Sequence, residues 1–163
     1  MAEEKSITVD EAGEIAMFAK DARKVARIGF FTLSPVKVAE AVDSYVAKTQ
    51  QELIAGARML GEEEATFLAL QLGCLYGQQA VKEFGWSWTC LVNGENENYA
   101  VVNSDRSLAL LPTYFIRECF EQPGMDCTLL LAFNMVSAKR FSDVAARGYH
   151  DVLGHVVRIV PRH

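Results

Sequence analysis

The chain has 163 residues, half of them apolar and 23% charged, with 16 basic against 21 acidic side chains and a net charge of −5. A chain of this size buries about 70% of its unfolded surface, so it folds as one domain (residues 1–163) with no metal or disulfide staple. A mean hydropathy of +0.07, with no apolar run near the ~18 residues of a membrane span, excludes a helical membrane protein; 10% aromatic residues exclude disorder, and a pI of 5.2 lacks the basic footprint of nucleic-acid binding.

The first residues, Met1 to Ser6, are polar and acidic with no basic patch leading into an apolar stretch, which predicts no secretory leader and a cytoplasmic location. Thr8-Val9-Asp10-Glu11 matches a capping box. Behind it Ile15, Phe18, Ala19, Ala22, Val25 and Ala26 recur at helical spacing, predicting an amphipathic helix of about four turns. Gly29-Phe30-Phe31-Thr32 breaks that pattern. Ser34-Pro35 then reads as an N-cap and first helical residue, opening a helix through Val38, Val42, Tyr45 and Val46. The period resumes at Leu53, Ile54, Ala57 and Leu60, so this element reads as one long helix or two short ones.

A third helix is predicted from Gly61, where Glu62, Glu63 and Glu64 complement the positive end of its dipole, to Gly85 as the residue past its C-terminus. Ala69, Gly73, Gly77 and Ala80 line one side with small groups. Each interior glycine costs about 1 kcal/mol against alanine, which points to close approach of another backbone as compensation. Trp86 to Val92 is aromatic and β-branched and reads as a strand, Asn93 to Asn98 as a turn, Tyr99 to Asn103 as a second strand, Ser104 to Ser107 as a turn, and Leu108 to Leu111 as a third strand. Pro112 opens a short helix closed by Gln122-Pro123-Gly124. A last apolar helix runs through Leu129, Leu130, Phe133, Met135 and Val136, with a break before Phe141, Val144 and Ala145. Gly148 and Gly154 bracket an ambiguous piece, and Val156 to Val160 reads either as a terminal strand joining the meander or as a helix. The class is α+β: N-terminal helices packed on a small antiparallel meander, with C-terminal helices and, in the strand reading of Val156 to Val160, a final strand.

Four side chains are candidates for binding. On a strand, Trp86 and Trp88 would share a face and form an aromatic platform, the alternative being burial in the core. Glu95 and Glu97 sit in the turn chemistry of the hairpin, where they either keep its tip in water or meet a basic partner. Charge is uneven: residues 137–163 hold five basic and two acidic groups, leaving a net −8 on residues 1–136. A solvated face is the plain reading of that asymmetry, and steering of a basic partner the functional one.

The cysteines Cys74, Cys90, Cys119 and Cys127 form no C-x-x-C pair and read as reduced, buried thiols. A cysteine with His150 and Asp151 as base and orienter is conceivable as a nucleophilic site, but no phosphate-cradling, dinucleotide or serine-hydrolase motif accompanies it. His150 and His155 are five residues apart, about 140° on a helix and on opposite faces of a strand, so neither regular geometry puts them on one ion; His163 is the last residue. No metal and no cofactor are expected.

The stretch from Leu68 to Met135 resembles a family of uncharacterised bacterial domains. The pattern is an L-G-x-x-x-G helix (Leu72-Gly73 with Gly77), a G-W-x-W strand (Gly85-Trp86 with Trp88), a Tyr-Ala-Val-Val strand (Tyr99 to Val102) and a third strand ending in proline (Leu111-Pro112), before a helical return. The resemblance carries structure and no established activity. In size, acidity and α+β build the chain is also similar in type to bacterial immunity proteins that neutralise a toxin. The resulting expectation is a non-enzymatic cytoplasmic binding protein, of immunity-inhibitor type, meeting a protein partner with a basic surface and neither nucleic acid nor membrane. An acidic homodimeric escort chaperone for a secreted protein and a small enzyme with a cleft between helices and sheet are the alternatives, and the sequence leaves the oligomeric state open.

Overall fold

The computed structural model describes residues 2–29 and 34–160. A short strand β1 (Glu3–Lys5) precedes three helices, α1 (Val9–Val25), α2 (Pro35–Ile54) and α3 (Glu62–Phe84). The hairpin strands β2 (Ser87–Asn93) and β3 (Asn96–Val102) and strand β4 (Leu108–Leu110) follow. Helices α4 (Pro112–Glu121) and α5 (Leu129–Ser137), strand β5 (His150–Asp151) and helix α6 (Val152–Ile159) complete the described chain. All five strands lie in sequence order in one sheet, antiparallel from β1 to β4, with β5 parallel to β4. The architecture is α+β, as the residue patterns predict.

The helix starts follow local chemistry. The Thr8 hydroxyl accepts from the Glu11 amide at 3.1 Å while the Glu11 carboxylate accepts from the Thr8 amide at 3.2 Å, closing the capping box of α1. Pro35 opens α2 behind Ser34, whose hydroxyl makes no capping bond, and α2 is one helix, leaving Ala57 and Leu60 beyond its end. The pattern break at Phe30-Phe31-Thr32 and the terminal His163 lie outside the described residues. Gly61 is the N-cap of α3, and Gly85, at φ 69°, ends it in the left-handed conformation.

Helix α3 is the centre of the molecule, with α1, α2 and α4 packed around it and the sheet beneath. Leu68, Leu72, Leu75, Tyr76 and Ala80 are buried along its length. Two residues without side chains fix how closely its neighbours come. A Cβ at Gly73 would lie 2.6 Å from the Thr113 amide nitrogen and 2.7 Å from its Cα, so the start of α4 lies directly on α3. At Gly77 the intruder is a side chain: a Cβ would lie 2.6 Å from Cζ2 of Trp88. The expected backbone approach therefore holds at Gly73, and an indole takes its place at Gly77.

Three elements depart from expectation. Strand β1 has no apolar or β-branched signal, and its pairing along β2 (Glu4 opposite Leu91, Lys5 opposite Cys90) makes it a strand. The hairpin turn is only two residues long, Gly94 at φ 64° with Glu95, so Asn96, Glu97 and Asn98 belong to β3. Val156 to Val160 is not a terminal strand. Asp151 caps the segment, its carboxylate accepting from the Gly154 amide at 3.1 Å, and Val152, Leu153 and Val156 are buried one turn apart on α6. Only His150 and Asp151 extend the sheet.

Helix α5 is capped from outside its own sequence. Thr128 holds its N-cap position, yet that hydroxyl is buried with no hydrogen-bond partner among the described residues. Asp43 of α2 instead accepts from the Leu130 amide at 3.0 Å and from the Cys127 thiol at 3.5 Å. Burial pushes the Asp43 carboxyl above the usual carboxylate range, against the pull of the Leu130 amide and the Cys127 thiol. The folded chain thus holds the Asp43 proton more tightly than the unfolded chain. That contribution to stability is complete below the ordinary value of 3.8 and is lost as pH rises through the raised one. Asp43→Asn keeps an acceptor for Leu130 without the buried charge. It is expected to match or exceed the wild type at neutral pH and to flatten the pH dependence above 3.8. Urea unfolding from pH 4 to pH 8 checks this; a loss above about 1 kcal/mol at neutral pH would refute it.

Candidate functional site

The two tryptophans do different things. Trp88, on β2, faces the helical layer and fills the space that Gly77 leaves open. Trp86 precedes β2, directly after the left-handed turn at Gly85, and both indoles pack half-buried against the same core cluster. The Trp86 indole packs beside Phe84 (ring centroids 5.6 Å apart), and Phe84 in turn against Phe133 (4.7 Å).

That aromatic row forms one wall of a cleft of about 580 Å³. The end of α3 supplies Glu83 and Phe84, β4 supplies Leu108, and the end of α5 supplies Val136 and Ser137; Lys139, Phe141 and Ser142 follow on the next segment. The volume lies in the range that small ligands or one or two side chains fill. Glu83 and Lys139 are exposed at the rim and supply opposite charges above an apolar floor. Sequence periodicity could not find this site, because its walls come from four elements; the one local signal is the pair of aromatics flanking Gly85.

The acidic candidates lie apart from the cleft. Glu95 is exposed in the hairpin turn, at the end of β2 opposite Trp86. Seven residues of β2 separate the two, about 20 Å of extended chain. Glu97, on β3, is engaged with Lys5 of β1 in an exposed ion pair across β2. The structure therefore brings none of Trp86, Trp88, Glu95 and Glu97 together as one constellation.

A second group of polar residues roofs the far face of the sheet, over Leu91, Ala100, Val102 and Ala109. The Glu4 carboxylate accepts from Arg106 Nε (3.2 Å) and Nη2 (3.0 Å), from the Tyr149 hydroxyl (2.6 Å) and from the Thr89 hydroxyl (3.1 Å). These donors, Arg106 first, hold Glu4 below the usual carboxylate range although burial opposes them. Arg106, Arg147 and Tyr149 all have positive φ (59°, 58° and 46°), fixed by amide bonds from Arg147 to the Asp105 carbonyl and from Tyr149 to the Arg106 carbonyl. With Glu4 satisfied by four donors, this network is a clasp tying β1 and the segment before β5 onto the sheet.

The thiols are poorly suited to attack. Burial raises Cys74 to about 12, and contact with Cys119 together with burial pushes Cys127 up as well. The two histidines lie in different elements. His150 ends the sheet and His155 lies on α6, so the turn between them, and not one periodicity, sets their relation. Their ring centroids are 5.0 Å apart, with Phe141 at 6.1 Å from one and 5.9 Å from the other.

Comparison of the chain with protein-family models, with curated proteins and with solved structures gives no match. No helix among the described residues is long and apolar enough to cross a membrane.

Proposed function

We propose that this chain is a non-enzymatic binding protein of the cytoplasm that recognises a protein partner through the Trp86 cleft, and that its partner is a basic protein such as a toxin held inactive. The observation that carries the reading is the cleft itself: a large aromatic side chain beside an apolar floor, with charges of both signs at the rim, is the arrangement that anchors a partner's buried side chain. The exposed carboxylate of Glu95 lies about 20 Å away, within the footprint of an interface that buries about 800 Å² on each side. The net charge of −5 favours approach of a basic surface. The raised Cys74 and Cys127 thiols weigh against a thiolate nucleophile.

The test is affinity capture of the tagged chain from its own cells, run in parallel with Trp86→Ala and Glu95→Lys. A single stoichiometric partner is expected, lost with Trp86→Ala and weakened with Glu95→Lys; Glu95→Lys keeps the wild-type melting temperature, and Trp86→Ala, which loses packing against Phe84, is captured below its own lowered one. Capture that is indifferent to both substitutions, or no stoichiometric partner at all, overturns the reading.

A further inference from the structure

We propose that His150 and His155 form an open, two-imidazole site for a divalent transition-metal ion of the zinc class. The argument is geometric. Imidazole nitrogens bind zinc at about 2.0–2.1 Å, so two rings on one ion with bond angles between about 90° and 110° have centroids about 4.5–5.2 Å apart. The observed separation is 5.0 Å, with the ring planes inclined at 59°. Both side chains are half-buried, which leaves a path for an ion from solvent. The backbone that carries both residues is fixed by hydrogen bonds. The His150 amide donates to the Ser107 carbonyl at 2.8 Å, and Asp151 caps the helix that carries His155.

No cluster of three or more histidine, cysteine, aspartate or glutamate side chains suited to a metal occurs among the described residues. Water would fill the remaining positions, as at an open site. Phe141 lies against both rings and also lines the Trp86 cleft.

The experiment is calorimetric titration of the full chain with Zn²⁺ alone at pH 7.5, for the wild type and for His150→Gln, His155→Gln and His163→Gln. The site requires one equivalent of Zn²⁺ per chain, weakened by at least about tenfold in each of the first two variants. It also requires binding to be unchanged in the third. Absence of binding to the wild type, or binding as strong in His150→Gln or in His155→Gln as in the wild type, overturns the proposal. Glutamine keeps the side-chain bulk, and melting curves recorded beside the titrations identify a variant that has lost its fold; for such a position the smaller change to asparagine replaces it.

Discussion

Gly73→Ala is expected to destabilise the chain by about 2–3 kcal/mol, the range of an overpacked core. Elsewhere in a helix the same change stabilises by about 1 kcal/mol. Here the added methyl would lie 2.6 Å from the Thr113 nitrogen and 2.7 Å from its Cα. Backbone cannot rotate away as a side chain can, so α3 and α4 must separate over the whole of their contact. Gly13 of α1 is the matched control, since nothing lies within 4 Å of the Cβ it would gain. Gly13→Ala is expected to stabilise by about 0.5–1 kcal/mol. Gly77→Ala falls between the two, because the obstacle is the Trp88 ring. Its loss should shrink when Trp88→Phe is added, a coupling that a double-mutant cycle reads directly. Urea unfolding of the set decides the matter; a Gly73→Ala chain as stable as the wild type would mean that α4 does not rest on α3 as described.

Phe133→Ala is expected to remove about 3–5 kcal/mol, the usual loss for a buried phenylalanine. The ring is 1% exposed and touches two others, edge-on to Tyr76 with centroids 5.9 Å apart and tilted against Phe84 at 4.7 Å. The substitution therefore opens a cavity behind the wall that carries Trp86. Tyr76→Phe is a gentler probe of the same region. The Tyr76 hydroxyl, fully buried, donates to the Leu129 carbonyl at 2.8 Å and ties α3 to the first turn of α5. Its removal leaves that carbonyl without this donor, at about 1–3 kcal/mol. Equilibrium unfolding followed by tryptophan fluorescence measures both; a loss below about 1 kcal/mol for Phe133→Ala would contradict the packing of this layer.

The helices were legible because their signals are local. Thr8 and Glu11 close a box within four residues, Pro35 and Gly85 carry conformations that only a helix end uses, and the apolar period of α1 to α3 marks the faces that are buried. The contact between α3 and its neighbours was legible too, since Gly73 and Gly77 make no sense in a helix unless something lies against them. What could not be read depends on pairing between distant segments. Glu3–Lys5 is a strand only because β2 offers it an edge. The valines near residue 156 favour a strand by composition, and the cap at Asp151 with burial of Val152, Leu153 and Val156 overrides them. The cleft shares this origin, drawing Phe84, Leu108, Val136 and Phe141 from separate elements. The histidine pair was missed for a related reason: angular arguments hold within one helix or strand, and His150 and His155 straddle a junction between the two.

The clasp on Glu4 has a consequence for how the chain is made. One of its two hydroxyl donors is Tyr149, 145 residues further along. Glu4 is thus synthesised well before its donors, for Arg106 and Tyr149 must both emerge before the carboxylate is satisfied. Closing so long a loop is entropically demanding and slow compared with local helix formation. Until β1 pairs, the outer edge of β2 is open to any other extended chain. During synthesis this protein passes through a stage in which its helices can form while its sheet still has a vacant edge, and that stage is where pairing with a neighbouring nascent chain would compete with folding.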